Sequence, residues 1–314
     1  MRYYFAPLEG ITDSIYRRLH SKYFTGVTCY FTPFLSPTVH RSLTPREARE
    51  IPPTDTLDHC VIPQLLTKNP DDFLWMAAQC RDLGYTEVNL NLGCPSGTVT
   101  AKGKGSGMLT NLDTLDSFLY TIFSAAPLDI SIKTRLGFTS KDEFPGILDV
   151  LNRYPIKELT IHPRVRKEFY SGSVDYEAFS YAVDNSKSPL CFNGNLCSQG
   201  EIENLTRRFT AVESVMLGRG LIADPGMLSP QGTTRDSLES FYNTLLEEYL
   251  IAFGGSRNAM FRLKENWRYL ICKFEGADRL YKQLRKTTDL SQYRSITNEI
   301  FRNLPMRQTI LPDW

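Results

Sequence analysis

The sequence lacks a dominant charge, a long apolar run, a cysteine motif and a histidine cluster. Its 314 residues carry 36 Lys+Arg against 35 Asp+Glu, a formal charge of +1, which excludes a polybasic arm or an acidic disordered chain. No run of about 18 apolar residues exists, so no membrane-spanning helix is expected. The start, Met1-Arg2-Tyr3-Tyr4-Phe5-Ala6-Pro7, moves straight into strand-like sequence without a signal-peptide core. The seven cysteines form no Cys-x-x-Cys, Cys191 and Cys197 are a poor metal spacing, and the four histidines are scattered, so no metal site is expected. Reduced thiols in a cytoplasm are the simplest expectation. What is present, 41% hydrophobic, 12% aromatic and 23% charged residues, is the composition of a folded globular protein.

Short apolar segments recur along the first two thirds of the chain, with helical patterns between most of them. They are Tyr3–Leu8, Val27–Phe34, Cys60–Leu66, Glu87–Leu92, Asp129–Thr134, Glu158–His162, Leu190–Asn193 and Ser214–Leu217. Between them, Asn69-Pro70-Asp71-Asp72 opens a helix with a cap residue and Pro in the first turn, and Leu83-Gly84 closes it. The stretches 111–125, 141–153, 174–183 and 199–208 read the same way. Strands alternating with helices predict a parallel α/β sheet, and eight of them predict a closed (β/α)8 TIM barrel. Leu228–Thr234 reads as a linker, and helical patterns alone follow it over 236–253, 257–274, 277–286 and 291–303. The expected domains are a barrel over 1–234 and a small all-helical C-terminal domain over 235–314.

The balanced charge is an average over unlike regions. Residues 1–240 hold 24 basic and 27 acidic side chains, whereas 241–314 hold 12 and 8, and Arg257–Arg294 alone holds 10 and 4. The helical end is therefore basic.

In such a barrel, chemistry belongs at the C-terminal ends of the strands. Those ends read Ala6-Pro7-Leu8-Glu9-Gly10, Gln64, Asn91-Leu92-Gly93-Cys94-Pro95, Lys133-Thr134-Arg135, His162-Pro163-Arg164, Asn193-Gly194-Asn195 and Gly218-Arg219-Gly220. Glycine-bearing turns after the seventh and eighth strands suit a phosphate group, with Arg219 as a charged partner. Lys133 suits the electron-rich pyrimidine edge of a reduced flavin. Cys94 opens a long loop ending Lys102-Gly103-Lys104-Gly105-Ser106-Gly107, of a length that suits closure over a substrate. Neither a Walker pattern nor a dinucleotide fingerprint is present.

Taken together, these residues resemble the tRNA-dihydrouridine synthases (Dus), flavin-dependent reductases of uridine in RNA, through almost the whole chain. The markers are Ala6-Pro7-Leu8-Glu9-Gly10-Ile11-Thr12-Asp13, Gln64-Leu65, Asn91-Leu92-Gly93-Cys94-Pro95, Lys133-Thr134-Arg135-Leu136-Gly137, His162-Pro163-Arg164, Asn193-Gly194-Asn195 and Gly218-Arg219-Gly220. The family usually has Met where Leu8 stands and an acid where Asn195 stands. The resemblance implies an FMN-binding barrel followed by a helical RNA-binding domain. It implies FMN held by Pro7, Leu8, Glu9, Gln64, Lys133, His162, Asn193, Gly194, Asn195, Gly218 and Arg219, with Cys94 as proton donor. Asn91, Lys102, Arg135 and Arg164 are expected near the flavin or the uridine. NADPH is the expected electron donor, tRNA the substrate, and a cytoplasmic monomer the expected form. In the basic tail, Arg262, Lys264, Arg268 and Lys273 are the candidate phosphate contacts. Two alternatives stay open here: a small-molecule, dihydroorotate-type FMN oxidoreductase, and an RNA-binding barrel without redox function.

Overall fold

A computed structural model of the chain describes residues 1–38 and 40–312. Among the described residues nine strands form one sheet: β1 (Arg2–Phe5), β2 (Cys29–Phe31), β3 (Val61–Ile62), β4 (Gln64–Leu65), β5 (Glu87–Leu92), β6 (Asp129–Gly137), β7 (Leu159–Val165), β8 (Leu190–Asn193) and β9 (Ser214–Leu217). Their order is β3-β2-β1-β9-β8-β7-β6-β5-β4, which begins and ends on two strands adjacent in sequence. The expected eight strands become nine because the third is broken at Pro63, which has no N–H to give to a ladder. Its first half pairs in parallel with β2 and its second half with β5. Pro63 O still accepts from Asn89 N at 2.8 Å. The ring of eight strand positions is thus nearly closed, as a (β/α)8 barrel requires.

Helices alternate with these strands: α1 (Ser14–Tyr23), α2 (Pro45–Glu50), α3 (Pro70–Asp82), α4 (Gly97–Thr100), α5 (Leu112–Ala125), α6 (Phe144–Leu151), α7 (Tyr176–Asn185), α8 (Gln199–Arg208) and α9 (Arg219–Ala223). The Asn69 side chain accepts from Asp71 N and Asp72 N, so α3 starts where its cap residue directs. It ends at Gly84, whose φ of +90° only glycine adopts without strain. α1 and α2 had no forecast, since both lie in polar sequence between strands one and three. Past residue 234 come α10 (Arg235–Ala252), α11 (Ser256–Leu270), α12 (Asp278–Lys286) and α13 (Leu290–Asn303). Among the described residues no helix is long and apolar enough to cross a membrane.

The chain divides into two compact units. One holds 1–7, 28–195 and 204–216, and so almost all of the sheet; the other gathers 8–27, 196–203 and the chain from Leu217 onward. Period-two alternation builds the first: Val88, Leu90 and Leu92 of β5 are fully buried on one face, while Asn89 and Asn91 point to the other. In the second, Trp267 is the centre of the core, with Tyr242, Phe274 and Phe301 around it and its indole N–H donated to Tyr293 OH at 2.8 Å. Phe241 of α10 meets Tyr16 of α1 edge-on at 5.4 Å.

One expectation is corrected here. Cys29 and Cys60 are joined in a disulfide, so the thiols are not all reduced. Cys29 opens β2 and Cys60 immediately precedes its neighbour β3, which brings their Cα atoms to 4.7 Å, within bridging range. Sequence spacing gave no sign of this, since register between parallel strands is set by the fold.

Candidate active site

The site in the sheet-bearing unit starts from a row of buried amides. Ser131 Oγ accepts from Asn89 Nδ2 at 2.9 Å, Asn89 Oδ1 from Gln64 Nε2 at 2.8 Å, and Gln64 Oε1 from Asn91 Nδ2 at 2.7 Å. The row crosses β4, β5 and β6 and ends on Asn91 Oδ1, which accepts from Gly93 N at 3.0 Å and Cys94 N at 2.9 Å. Asn91 is thus the backbone anchor of the cysteine turn, a role beyond the substrate contact expected from sequence. Asn91→Leu leaves two largely buried N–H groups without an acceptor and Gln64 without a donor. We expect it to lower stability by about 2–4 kcal/mol, read from the midpoint of denaturant unfolding.

Cys94 is half-buried, and burial pushes its thiol above the ordinary range, against the opposing pull of Ser96 N–H, Arg135 and Lys133. Its carbonyl accepts from Ser106 N at 3.2 Å and Ser106 Oγ at 2.8 Å, drawing the far end of the long loop back. Gly105, at φ +58°, has its Cβ position 3.0 Å from Cys94 Cβ, so a side chain there would press on the cysteine. Residues 105–109 are buried, and Lys102 is exposed on the intervening turn. Lys104 donates to Ser36 Oγ at 3.0 Å.

Lys133 pairs in register with Asn91 across β5 and β6. Burial, and then the Arg135 charge, push its ammonium down to about 8. Among the described residues no carboxylate contributes to that shift, so no acid there balances its charge. The register of β6 shifts between Arg135 and Gly137, a bulge that re-aims side chains at the strand end.

Arg135 and Arg164, expected near the flavin or the uridine, also hold the backbone around the site. Both are buried. Arg135 Nε donates to Gly93 O at 2.9 Å and Nη1 to Val165 O at 3.2 Å, clamping the cysteine turn to β7. Arg164 Nε donates to Ser171 O at 3.0 Å, and Nη2 donates to Gly172 O. Its Nη1 lies 2.8 Å from His162 Nε2. Guanidinium has no acceptor, so His162 Nε2 accepts and its remaining proton is on Nδ1.

Asn193 Nδ2 donates to Met216 O at 2.7 Å, tying β8 to β9. Gly194 adopts φ +147°, and a Cβ there would lie 2.7 Å from Val174 Cγ1 and 3.2 Å from His162 Cδ2. Asn195 follows at φ 46°, so two consecutive residues hold left-handed conformations. Pro7 follows β1 and is half-buried. Gln64, Asn91, Cys94, Lys133, Arg135, His162 and Arg164 are therefore brought together on neighbouring strands and the turns that follow them. Asn89 was missed, although two-residue periodicity places it on the face of Asn91.

In the other unit, Leu8 N donates to Thr12 Oγ1 at 2.8 Å and Glu9 is exposed. Gly218 precedes α9, and Gly220 has its Cβ position 2.3 Å from Leu196 O, so only glycine fits. Arg219 sits at the first position of α9 and exerts a charge on Cys197. The four basic-tail candidates divide. Lys273 is buried in an ion pair with Asp224 at 2.7 Å and is corrected from phosphate contact to core residue. Lys264 Nζ donates to Thr287 O and, at 3.3 Å, to Arg285 O, which caps the end of α12. Arg262 donates to Gly10 O and lies 3.9 Å from Asp13. Arg268 alone of the four is exposed; Lys282, Arg285 and Lys286 of α12 are exposed beside it in the count of basic groups.

A family model described as Dihydrouridine synthase (Dus) matches residues 4–307. The probable tRNA-dihydrouridine synthase of Staphylococcus aureus (strain Mu50 / ATCC 700699) is 26% identical over 313 residues, covering 94% of this chain and 91% of that protein. Its counterpart in Rickettsia bellii (strain RML369-C) is 25% identical over 253 residues, covering 78% of this chain and 77% of that protein. Among solved structures, a mutant of morphinone reductase in complex with tetrahydroNAD superposes with a TM-score of 0.51 at 10% identity. That match covers 72% of this chain and 85% of the other, a likeness of barrel fold.

Proposed function

Because this chain belongs to the dihydrouridine synthase family, we propose that it reduces the C5=C6 bond of a uridine in tRNA to 5,6-dihydrouridine, with FMN as its flavin and NADPH as electron donor. We place the reaction in the cytoplasm, where tRNA is, and assign it to a monomer. The observation that carries the reading is Cys94, a protonated thiol whose turn is anchored by Asn91 and clamped by Arg135, on the strand pair that also bears Lys133.

The residues fit a flavin. Lys133 has a cationic charge without an acid to balance it, which suits the edge where a reduced flavin gathers negative charge. Gln64, His162, Asn193, Gly194 and Asn195, with Pro7, are the residues of the same unit proposed to hold FMN. Bound there, FMN would supply the hydride that adds at C6 of the uracil. Charge then builds on the conjugated C4 carbonyl as an enolate, and the Cys94 thiol gives its proton to C5. Asn91 and Arg135 act on Cys94 through the backbone, keeping the sulfur in one place. The uridine reaches this position only by leaving its stack, which costs a few kcal/mol. Exposed cations such as Arg268 favour the RNA backbone and offset that cost.

The dihydroorotate-type alternative does not account for a family match that continues to residue 307, through the helical end. A barrel without redox function does not account for an anchored thiol on the strand pair that bears a lysine with no acid partner among the described residues. The test is direct: tRNA from cells deleted for the gene is expected to lack dihydrouridine at one or more positions, restored by the wild-type gene. Purified protein is expected to be yellow. Unchanged dihydrouridine in the deletion strain would overturn the reading.

A further inference from the structure

The segment after β7 is unusually well fastened for a surface loop. Glu168 Oε2 accepts from Val165 N at 2.6 Å, Phe169 N donates to Arg166 O at 3.1 Å, and Ser171 N donates to Glu168 O at 2.9 Å. Arg164 holds the carbonyls of Ser171 and Gly172 on the far side. Within this frame Phe169 takes φ 51°, a left-handed conformation that costs a bulky residue on the order of 1–3 kcal/mol. The ring recovers little by burial, since Phe169 is 44% exposed. A glycine would meet the same turn with less strain.

What lies against the ring is a cation. The Arg166 guanidinium is 5.4 Å from the Phe169 ring centroid and 5.1 Å from that of Phe138. The same guanidinium donates to Pro95 O at 3.1 Å and Thr100 Oγ1 at 3.3 Å, so it is fixed to the cysteine loop at the residue after Cys94. Phe169 is therefore a half-open aromatic face, backed by a guanidinium and rigidly connected to the turn that carries the thiol. An exposed ring of this kind, held in place at a conformational cost, is a stacking surface for a flat ligand. Once a target nucleotide is unstacked, its neighbour also loses a stacking partner, and an aromatic face can replace it.

Resting on the function proposed above, we propose that Phe169, supported by Arg166, is a stacking shelf for an unpaired base of the RNA next to the reacting uridine. The shelf recognises a base by its π-face, so it is tolerant of base identity. It contributes to holding the opened strand and takes no part in proton transfer.

The test is equilibrium binding of tRNA by the holoenzyme in three variants. Phe169→Leu keeps an apolar side chain without a π-face, and is expected to weaken binding about tenfold. Phe169→Gly removes the ring and the backbone strain together, so it should weaken binding as much while leaving the unfolding midpoint equal to wild type or higher. Phe169→Trp is expected to bind at least as tightly as wild type. Leucine or glycine variants that bind within twofold of wild type would overturn the shelf, as would a tryptophan variant no better than leucine. Wild-type protein that forms no dihydrouridine in tRNA would instead overturn the proposed function. Normal wild-type turnover with unchanged binding in the leucine and glycine variants would remove the shelf alone.

Discussion

Cys94→Ala is expected to yield a protein that binds flavin and is reduced normally, yet turns over tRNA uridine ~10²-fold or more slowly. The loss is confined to the step at C5, because the alanine keeps the backbone that Asn91 and Ser106 hold. Single-turnover oxidation of the reduced enzyme by tRNA separates this step from flavin reduction. A thiol acting as acid is competent while protonated and fails as pH rises through its pKa. Burial sets that pKa above the ordinary ~8.5, so Cys94 should remain a donor well past neutrality. Lys133, at about 8, loses its charge first. The negative edge of a reduced flavin raises the Lys133 ammonium from its flavin-free value. An alkaline limb at or above pH 8 is therefore assigned to the lysine, and it should vanish in Lys133→Met. A Cys94→Ala enzyme with wild-type turnover would remove the cysteine from the mechanism.

The placement of Cys94 was legible because both of its determinants are local. A strand end followed by Gly93-Cys94-Pro95 places the cysteine in the turn at the C-terminal end of β5 whatever lies around it. The barrel itself was legible because eight apolar segments are spaced for helical crossovers, and only the break at Pro63 altered the count. The backbone contacts of the arginines were not legible, for a nonlocal reason. Arg135 and Arg164 stand where substrate contacts belong in sequence, and carbonyl groups of Gly93, Val165, Ser171 and Gly172 also accept from them. Such partners become visible only once strands are in register and loops have closed. Phe169 carried no signal, since an aromatic residue in a charged turn usually points inward. The Cys29–Cys60 link was hidden likewise: its partners are 31 residues apart and meet only through the pairing of β2 with β3.

Lys273→Ala is expected to cost about 3–5 kcal/mol of stability and to leave the salt dependence of RNA binding unchanged. The basic count of the tail suggests the opposite, a surface cation whose loss weakens RNA binding at little cost to folding. Burial decides between them. The Lys273 and Asp224 side chains are 4% and 9% exposed and pair at 2.7 Å, and Thr233 Oγ1 also donates to Asp224. Removing the ammonium strands a carboxylate with one hydroxyl donor, the costly way to break a buried pair. Removing both charges is different: Lys273→Met combined with Asp224→Leu should recover much of the loss, since neither member is then left alone. Arg268→Ala supplies the contrast, with unfolding unchanged and the slope of log affinity against log salt shallower by about one. If Lys273→Ala instead reduced that slope while folding normally, the lysine would be a phosphate contact after all, reached by an opening of the Asp224 pair.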